Sequence, residues 1–242
     1  MSNGSKELFS TAVSAAILNK YTDASPTEIA EAISTIVDEV RDDSESELVS
    51  RLRPVRSVAD DITNQTVVLT LIERYWSRPP KLDTPLTTLN ASSFGRTMPV
   101  FRSANYVEDF GGKVPTPKGE IRARLDELER LCRQSVCCMG DSRLEDKALV
   151  LAHIFGSLIR IHPFEDGNGR TARLFVFYAL RCWGLPLFPI PKVRNDRRWK
   201  AALDAAVAGD ALKLKKELYW RMEEALKPVG TKRSLPAKRG CG

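Results

Sequence analysis

Apolar residues recur at helical spacing along most of the chain, and in two stretches they close over nearly the whole helix surface. The first is Leu144 to Ile161, apolar on most sides from Ala148 onward. The second follows Gly169 and carries Leu174, Phe175, Val176, Phe177, Tyr178 and Leu180 before Gly184-Leu-Pro186 stops it. Helices apolar on most sides belong at the centre of a bundle. The others read as amphipathic, with one stripe each. Leu8, Phe9, Ala12, Val13, Ala16 and Ile17 predict a helix over Glu7 to Tyr21. Ser25-Pro26-Thr27-Glu28 is a capping box with proline at the first helical position, and Ile29, Ile33, Ile36, Val37 and Val40 give the next helix its face.

Val55 to Trp76 reads as a third helix with Val58, Ile62, Leu69 and Ile72 inward, although the β-branched run Thr66 to Val68 offers a strand instead. Arg78-Pro79-Pro80 ends it. The acidic run Asp42 to Glu47 is a solvated turn. Leu82, Leu86 and Leu89 predict a short helix, and Ile121, Leu125, Leu128, Leu131 and Cys132 a longer one. Between them, Val100 to Pro115 mixes short β-favouring pieces with the turn-prone Gly111-Gly112. Trp199, Leu203 and Val207 stripe a further helix, and Ala211 to Leu226 forms the last. The Lys-, Arg- and Gly-rich residues from Pro228 onward are expected to be disordered.

The two apolar helices meet at Ile161 to Arg173, which concentrates the chain's chemistry. It reads Ile161-His162-Pro163-Phe164-Glu165-Asp166-Gly167-Asn168-Gly169-Arg170-Thr171-Ala172-Arg173. A carboxylate beside Gly-Asn-Gly, feeding a helix, makes an anion-binding turn: glycine adopts positive φ freely, successive N–H groups aim at one point, and the helix dipole favours negative charge. Arg170 and Arg173 stand three residues apart and share one side of the first turn. An unperturbed imidazole accepts a proton near neutral pH, so a histidine at position 162 suits general-base work. The other histidine, His153, lies within an apolar helix and reads as structural.

The segment His162 to Arg173 resembles the signature of Fic domains, HPFx(D/E)GNGRxxR, with every defining position filled, and similar surroundings run from about Leu82 to Leu218. The resemblance implies an all-α, mainly helical bundle of Fic type with a small β-hairpin flap. It divides the chain into an N-terminal helical extension at 1–80, a Fic core at 81–227 and a basic tail at 228–242. It implies a protein adenylyltransferase that moves AMP from ATP to a Ser, Thr or Tyr hydroxyl. His162 is then the base, Asp166 the Mg²⁺ ligand, and Gly167, Asn168, Gly169, Arg170 and Arg173 the nucleotide phosphate ligands, with Asn168 also acting through its side chain. The target protein docks at a flap near Val100 to Pro115 by strand addition. Many relatives carry an inhibitory (S/T)xxxE(G/N) helix whose glutamate pairs with the last arginine. The nearest match here, Ser14 to Asn19, has Leu18 at the glutamate position. A leucine forms no ion pair, so the chain is either restrained by a separate inhibitory partner or left active.

Composition changes this picture little. The 242 residues are 43% hydrophobic and 28% charged, as in ordinary globular domains. A net charge of +6 without a nucleic-acid-binding motif argues against nucleic acid as the partner. No run spans a bilayer and no leader pattern opens the chain, so a cytoplasmic location without membrane contact is expected. The five cysteines include no C-x-x-C pair and read as free thiols. Two other readings keep the same residues: a Fic-type transferase using another nucleotide or phosphate-containing donor, and a nucleotide-binding regulatory module without turnover.

Overall fold

The computed structural model describes residues 26–76, 82–103, 116–191 and 196–227. Among them are nine α-helices. They are α1 (Pro26–Glu39), α2 (Glu45–Arg51), α3 (Val58–Leu71), α4 (Pro85–Ser93), α5 (Ile121–Cys138), α6 (Leu144–Ile161), α7 (Asn168–Cys182), α8 (Arg197–Val207) and α9 (Leu212–Leu226). A π-helical turn, Ile72–Trp76, extends α3. The sole β-pairing among the described residues is an antiparallel bridge between Phe101 and Phe164. The expected hairpin falls mostly on residues 104–115, outside the described residues, as do the helix predicted over Glu7 to Tyr21 and the basic tail.

The helix starts follow local chemistry. Ser44 and Glu47 form a capping box for α2, so the acidic run expected to be a mere turn also starts a helix; Ser57 and Asp60 do the same for α3. α4 has no side-chain cap of its own but opens on Pro85. Its first amides are met from another helix: Glu129 of α5, buried, accepts from Leu86 N at 3.0 Å and Thr87 N at 2.7 Å.

α6 is the axis of the molecule and packs against α5, α7, α8 and α9. Leu151, Ala152, Leu158 and Ala148 are fully buried along it. Gly156 lets α8 approach closely: a Cβ there would lie 2.9 Å from Ala206 Cβ. α7 packs against α6, α4 and the π-helical turn and buries every residue from Leu174 to Leu180. No helix among the described residues is long and apolar enough to cross a membrane.

Residues 58–71 are helical, which removes the strand alternative for Thr66 to Val68. Some side chains depart from their expected places, Leu212 and Leu226 at the two ends of α9 among them, both exposed. Val58 is 42% exposed and Leu131 39% exposed, because each sits at the margin of its stripe. His153 faces solvent on α6 rather than the core.

Candidate active site

The loop from His162 to Gly167 joins the two most buried helices, and both its ends are conformationally special. α6 stops because Pro163 disfavours another right-handed turn at the residue before it. His162 leaves the helix in the left-handed region, φ 47° and ψ 56°, its N–H still donating to Leu158 O. It is the one non-glycine residue with positive φ among the described residues. Strain of this kind costs about 1–2 kcal/mol and persists where surrounding contacts over-determine it. At the other end Gly167 has φ 82° and caps α7. A Cβ at Gly167 would fall 2.6 Å from Phe94 Cε2, so glycine is required by conformation and by space.

Between these ends the loop is held from three sides. Phe164 is fully buried, 5.8 Å between ring centroids from Phe101. The chain at Val100 to Arg102 runs alongside as a short rail: Glu165 N donates to Val100 O at 2.9 Å and Arg102 N to Pro163 O at 3.0 Å. Arg102, buried, also donates from Nε to His162 O at 2.7 Å. Asn90 of α4 donates to Asp166 O at 3.1 Å and to Thr171 Oγ1 at 3.0 Å, tying the turn to both neighbouring helices.

The Asn168 side chain closes the loop on itself: Oδ1 accepts from Phe164 N at 3.1 Å and Nδ2 donates to Phe164 O at 2.9 Å. Sequence analysis gives this amide a phosphate contact. Both its polar atoms are engaged and the residue is 3% exposed, so its side chain is a clamp and its offering to an anion is the backbone N–H. The N–H groups of Asn168, Gly169 and Arg170 precede the first carbonyl partner available within α7, and no side chain caps them among the described residues.

The two arginines diverge. Arg170 is engaged across the fold: its guanidinium forks onto the buried carboxylate of Asp61 in α3, at 2.9 and 3.0 Å, and lies 4.7 Å over the Phe94 ring. Arg173 instead folds along the first turn, its guanidinium 3.6 Å from where a Gly169 Cβ would stand. Its Nε is buried and has no hydrogen-bond partner among the described residues. Desolvation, with a smaller contribution from Arg170, pushes its pKa down to about 10. A half-buried guanidinium whose Nε lacks a partner, beside a row of uncapped amides, is an arrangement that suits an anion.

Asp166 is exposed at the mouth of the turn and accepts the Gly167 N–H at 2.6 Å through Oδ1. The described residues contain no group of three ligating side chains. A lone carboxylate beside an anion-binding turn would still fit Mg²⁺, which is commonly held by one or two carboxylates together with substrate phosphates and water. Glu165 is exposed and makes no side-chain contact with the loop. His162 Nδ1 is buried.

Sequence reasoning found the loop residues because they are contiguous. It missed Asn90, Arg102 and Asp61, which lie 76, 60 and 109 residues from their loop or helix partners. Asp61 left a faint trace, as one of several polar residues on the inward side of α3, where Asn64, Gln65 and Thr66 are buried as well.

Comparison with known proteins agrees with this geometry. Residues 85–180 match the Fic/DOC family model. The protein adenylyltransferase Fic of Drosophila ananassae is 34% identical over 87 residues, covering 36% of this chain and 16% of its own length. The Drosophila yakuba counterpart is 35% identical over 88 residues, covering 36% and 17%. The matched part thus spans about one sixth of these relatives. Among solved structures, a Fic-domain-containing signaling protein from Bacteroides thetaiotaomicron superposes with TM-score 0.65 at 18% identity, covering 91% of this chain and 84% of its own. Fic-1 from C. elegans gives 0.60 at 17% identity, covering 92% and 62%. At such identities the structural likeness speaks for the fold.

Proposed function

Residues 85–180 form a domain of the Fic/DOC family, and on that premise we propose that the chain is a protein adenylyltransferase, moving AMP from ATP to a hydroxyl of a target protein. The observation that carries the reading is Arg173: a half-buried guanidinium whose buried Nε lacks a partner, beside the uncapped amides of α7 and one loop away from His162.

In this reading the β- and γ-phosphates lie on the N–H groups of Asn168, Gly169 and Arg170 and against Arg173, where fixed donors in a partly desolvated site offset charge without reorganising. Asp166 would hold Mg²⁺, which when bound offsets further charge on the phosphates. His162, with Nδ1 buried, takes the hydroxyl proton at Nε2 as the oxygen attacks the α-phosphorus. The bond from the α-phosphorus to the bridging oxygen breaks, and pyrophosphate leaves with the electron pair. Arg170 stays on Asp61 and fixes the first turn of α7. The rail at Val100 to Arg102 supports target docking next to the loop. With Leu18 where the inhibitory glutamate would stand, the chain is either restrained by a separate partner or left active.

The test uses the purified chain with Mg²⁺, a lysate, and ATP labelled at the α- or the γ-phosphate. Protein labelling from the α but not the γ position is expected. Labelling from γ alone would mean phosphoryl transfer. Absence of labelling from any nucleotide, with retained nucleotide binding, would replace the enzyme by a binding module.

A further inference from the structure

Arg102 makes a set of contacts that the nucleotide chemistry does not use. Its backbone N–H donates to Pro163 O at 3.0 Å. Its Nε donates to His162 O at 2.7 Å, and one terminal nitrogen reaches Ile161 O at 3.3 Å and Thr116 O. Thr116 in turn donates its N–H to Arg160 O at 3.2 Å. Both edges of the 102–116 segment are thus drawn to one point, the C-terminal end of α6.

Two features make that point consequential. The last carbonyls of a helix lack intrahelical partners, and here Arg102 supplies them at Ile161 and His162. The His162 peptide is also the strained one, with φ 47°, so it must be pinned to stay where it is. The carbonyl direction is related to the Cα–Cβ bond through ψ, so pinning His162 O from Arg102 while Pro163 is held by the Arg102 N–H keeps ψ near 56° and constrains where the imidazole starts. A planar guanidinium donates along several directions at once and spans three carbonyls, which a lysine ammonium on the same stem does not reproduce. Arg102 is 6% exposed, and burial lowers its pKa; a cation is kept buried there at a cost that a mere surface tether would not carry.

We propose that Arg102 is a positioning residue: through the carbonyls of Ile161 and His162 it pins the end of α6 and so aims the base. The proposal rests on the transfer reading above for its kinetic consequence, but its structural half does not. In that reading the phosphates lie on the first turn of α7, at the opposite end of the loop, which Asn168 and Asn90 hold in place through Phe164 O and Asp166 O. Loss of Arg102 should therefore slow transfer without weakening nucleotide binding.

The experiment compares the full chain with Arg102→Lys and Arg102→Gln. The chain has two histidines, so imidazole NMR gives two sets of ring resonances, and exposed His153 is an internal control. Expected are folded variants in which the His162 shift and its titration midpoint move while those of His153 do not. The affinity for Mg²⁺-ATP should stay within about twofold while kcat for transfer falls on the order of 100-fold, the scale of a misplaced reacting group. Should Arg102→Gln not fold, the lysine variant, which keeps stem and charge, carries the test. Unchanged His162 resonances with wild-type transfer would overturn the proposal; so would a parallel loss of nucleotide affinity, which marks general loosening of the site. If the wild-type chain transfers nothing, the adenylyl-transfer reading falls, and the NMR comparison still decides the role of Arg102.

Discussion

Arg170 and Asp61 form a two-point ion pair, 2.9 and 3.0 Å, between the first turn of α7 and the buried side of α3, with side chains only 12% and 3% exposed. The pair ties the N-terminal helices to the loop. Removing one member of a buried pair leaves the other charge uncompensated, which typically costs about 3–5 kcal/mol. Asp61→Asn is accordingly expected to lower unfolding free energy by roughly that amount, whereas Asp61→Leu combined with Arg170→Met should recover most of it. Urea unfolding of the wild type and both variants decides the matter. A stable Asp61→Asn protein would mean that Arg170 is already solvated or otherwise paired.

Arg173 should show the opposite balance between stability and function. Its guanidinium is desolvated and its pKa is driven down to about 10, so the free protein holds it charged at a cost. Arg173→Met is expected to leave the melting temperature unchanged or higher, and to abolish the upward shift that Mg²⁺-ATP gives the wild type. Differential scanning calorimetry with and without nucleotide measures both. A melting temperature well below wild type would show that the cation is structurally paired.

How far such relationships could be read in advance depends on their range in sequence. α6 and α7 are evident because they are apolar all round and bounded by proline and glycine, signals that act locally. The loop between them is evident because its donors, acid and base are adjacent in the chain. Asp61, Asn90 and Arg102 are not evident, because a polar residue on an inward face acquires meaning only from a partner that folding brings to it. Asn168 shows a subtler limit: its place in the turn was readable, but the turning of its amide onto Phe164 rather than outward was not. Val58 and Leu131 show that a stripe's marginal positions are settled by the neighbouring helix and not by periodicity.

His162 joins strain to chemistry, and substitutions can separate the two. Both His162→Ala and His162→Gly remove the base and should lower transfer about 10²- to 10⁴-fold. Their stabilities should differ, because φ 47° penalises alanine and not glycine. The glycine variant is expected to be more stable than the alanine variant by about 1 kcal/mol. Equal stabilities in chemical denaturation would show that the residue relaxes out of the left-handed region. Near-normal transfer by either folded variant would remove His162 from the base role.

Glu129 caps α4 from a distance, and its ionisation gives a prediction with a definite sign. Its two oxygens accept from Leu86 N and Thr87 N. Burial raises its pKa above the ordinary 4.5, outweighing those two N–H contacts. A carboxyl with a raised folded-state pKa binds its proton more tightly in the native than in the unfolded chain. Its contribution therefore favours the native state fully below 4.5 and is lost as pH rises through the folded value. Glutamine offers one acceptor where the helix start presents two donors, so Glu129→Gln should cost about 1–3 kcal/mol near neutral pH. It should also remove this titration, so that the stability advantage of the wild type over the variant grows as pH is lowered toward 4.5. Unfolding free energies of both proteins across the acid range check this; a wild-type advantage that shrinks on acidification would mean that the carboxylate's bonds to α4 outweigh its burial.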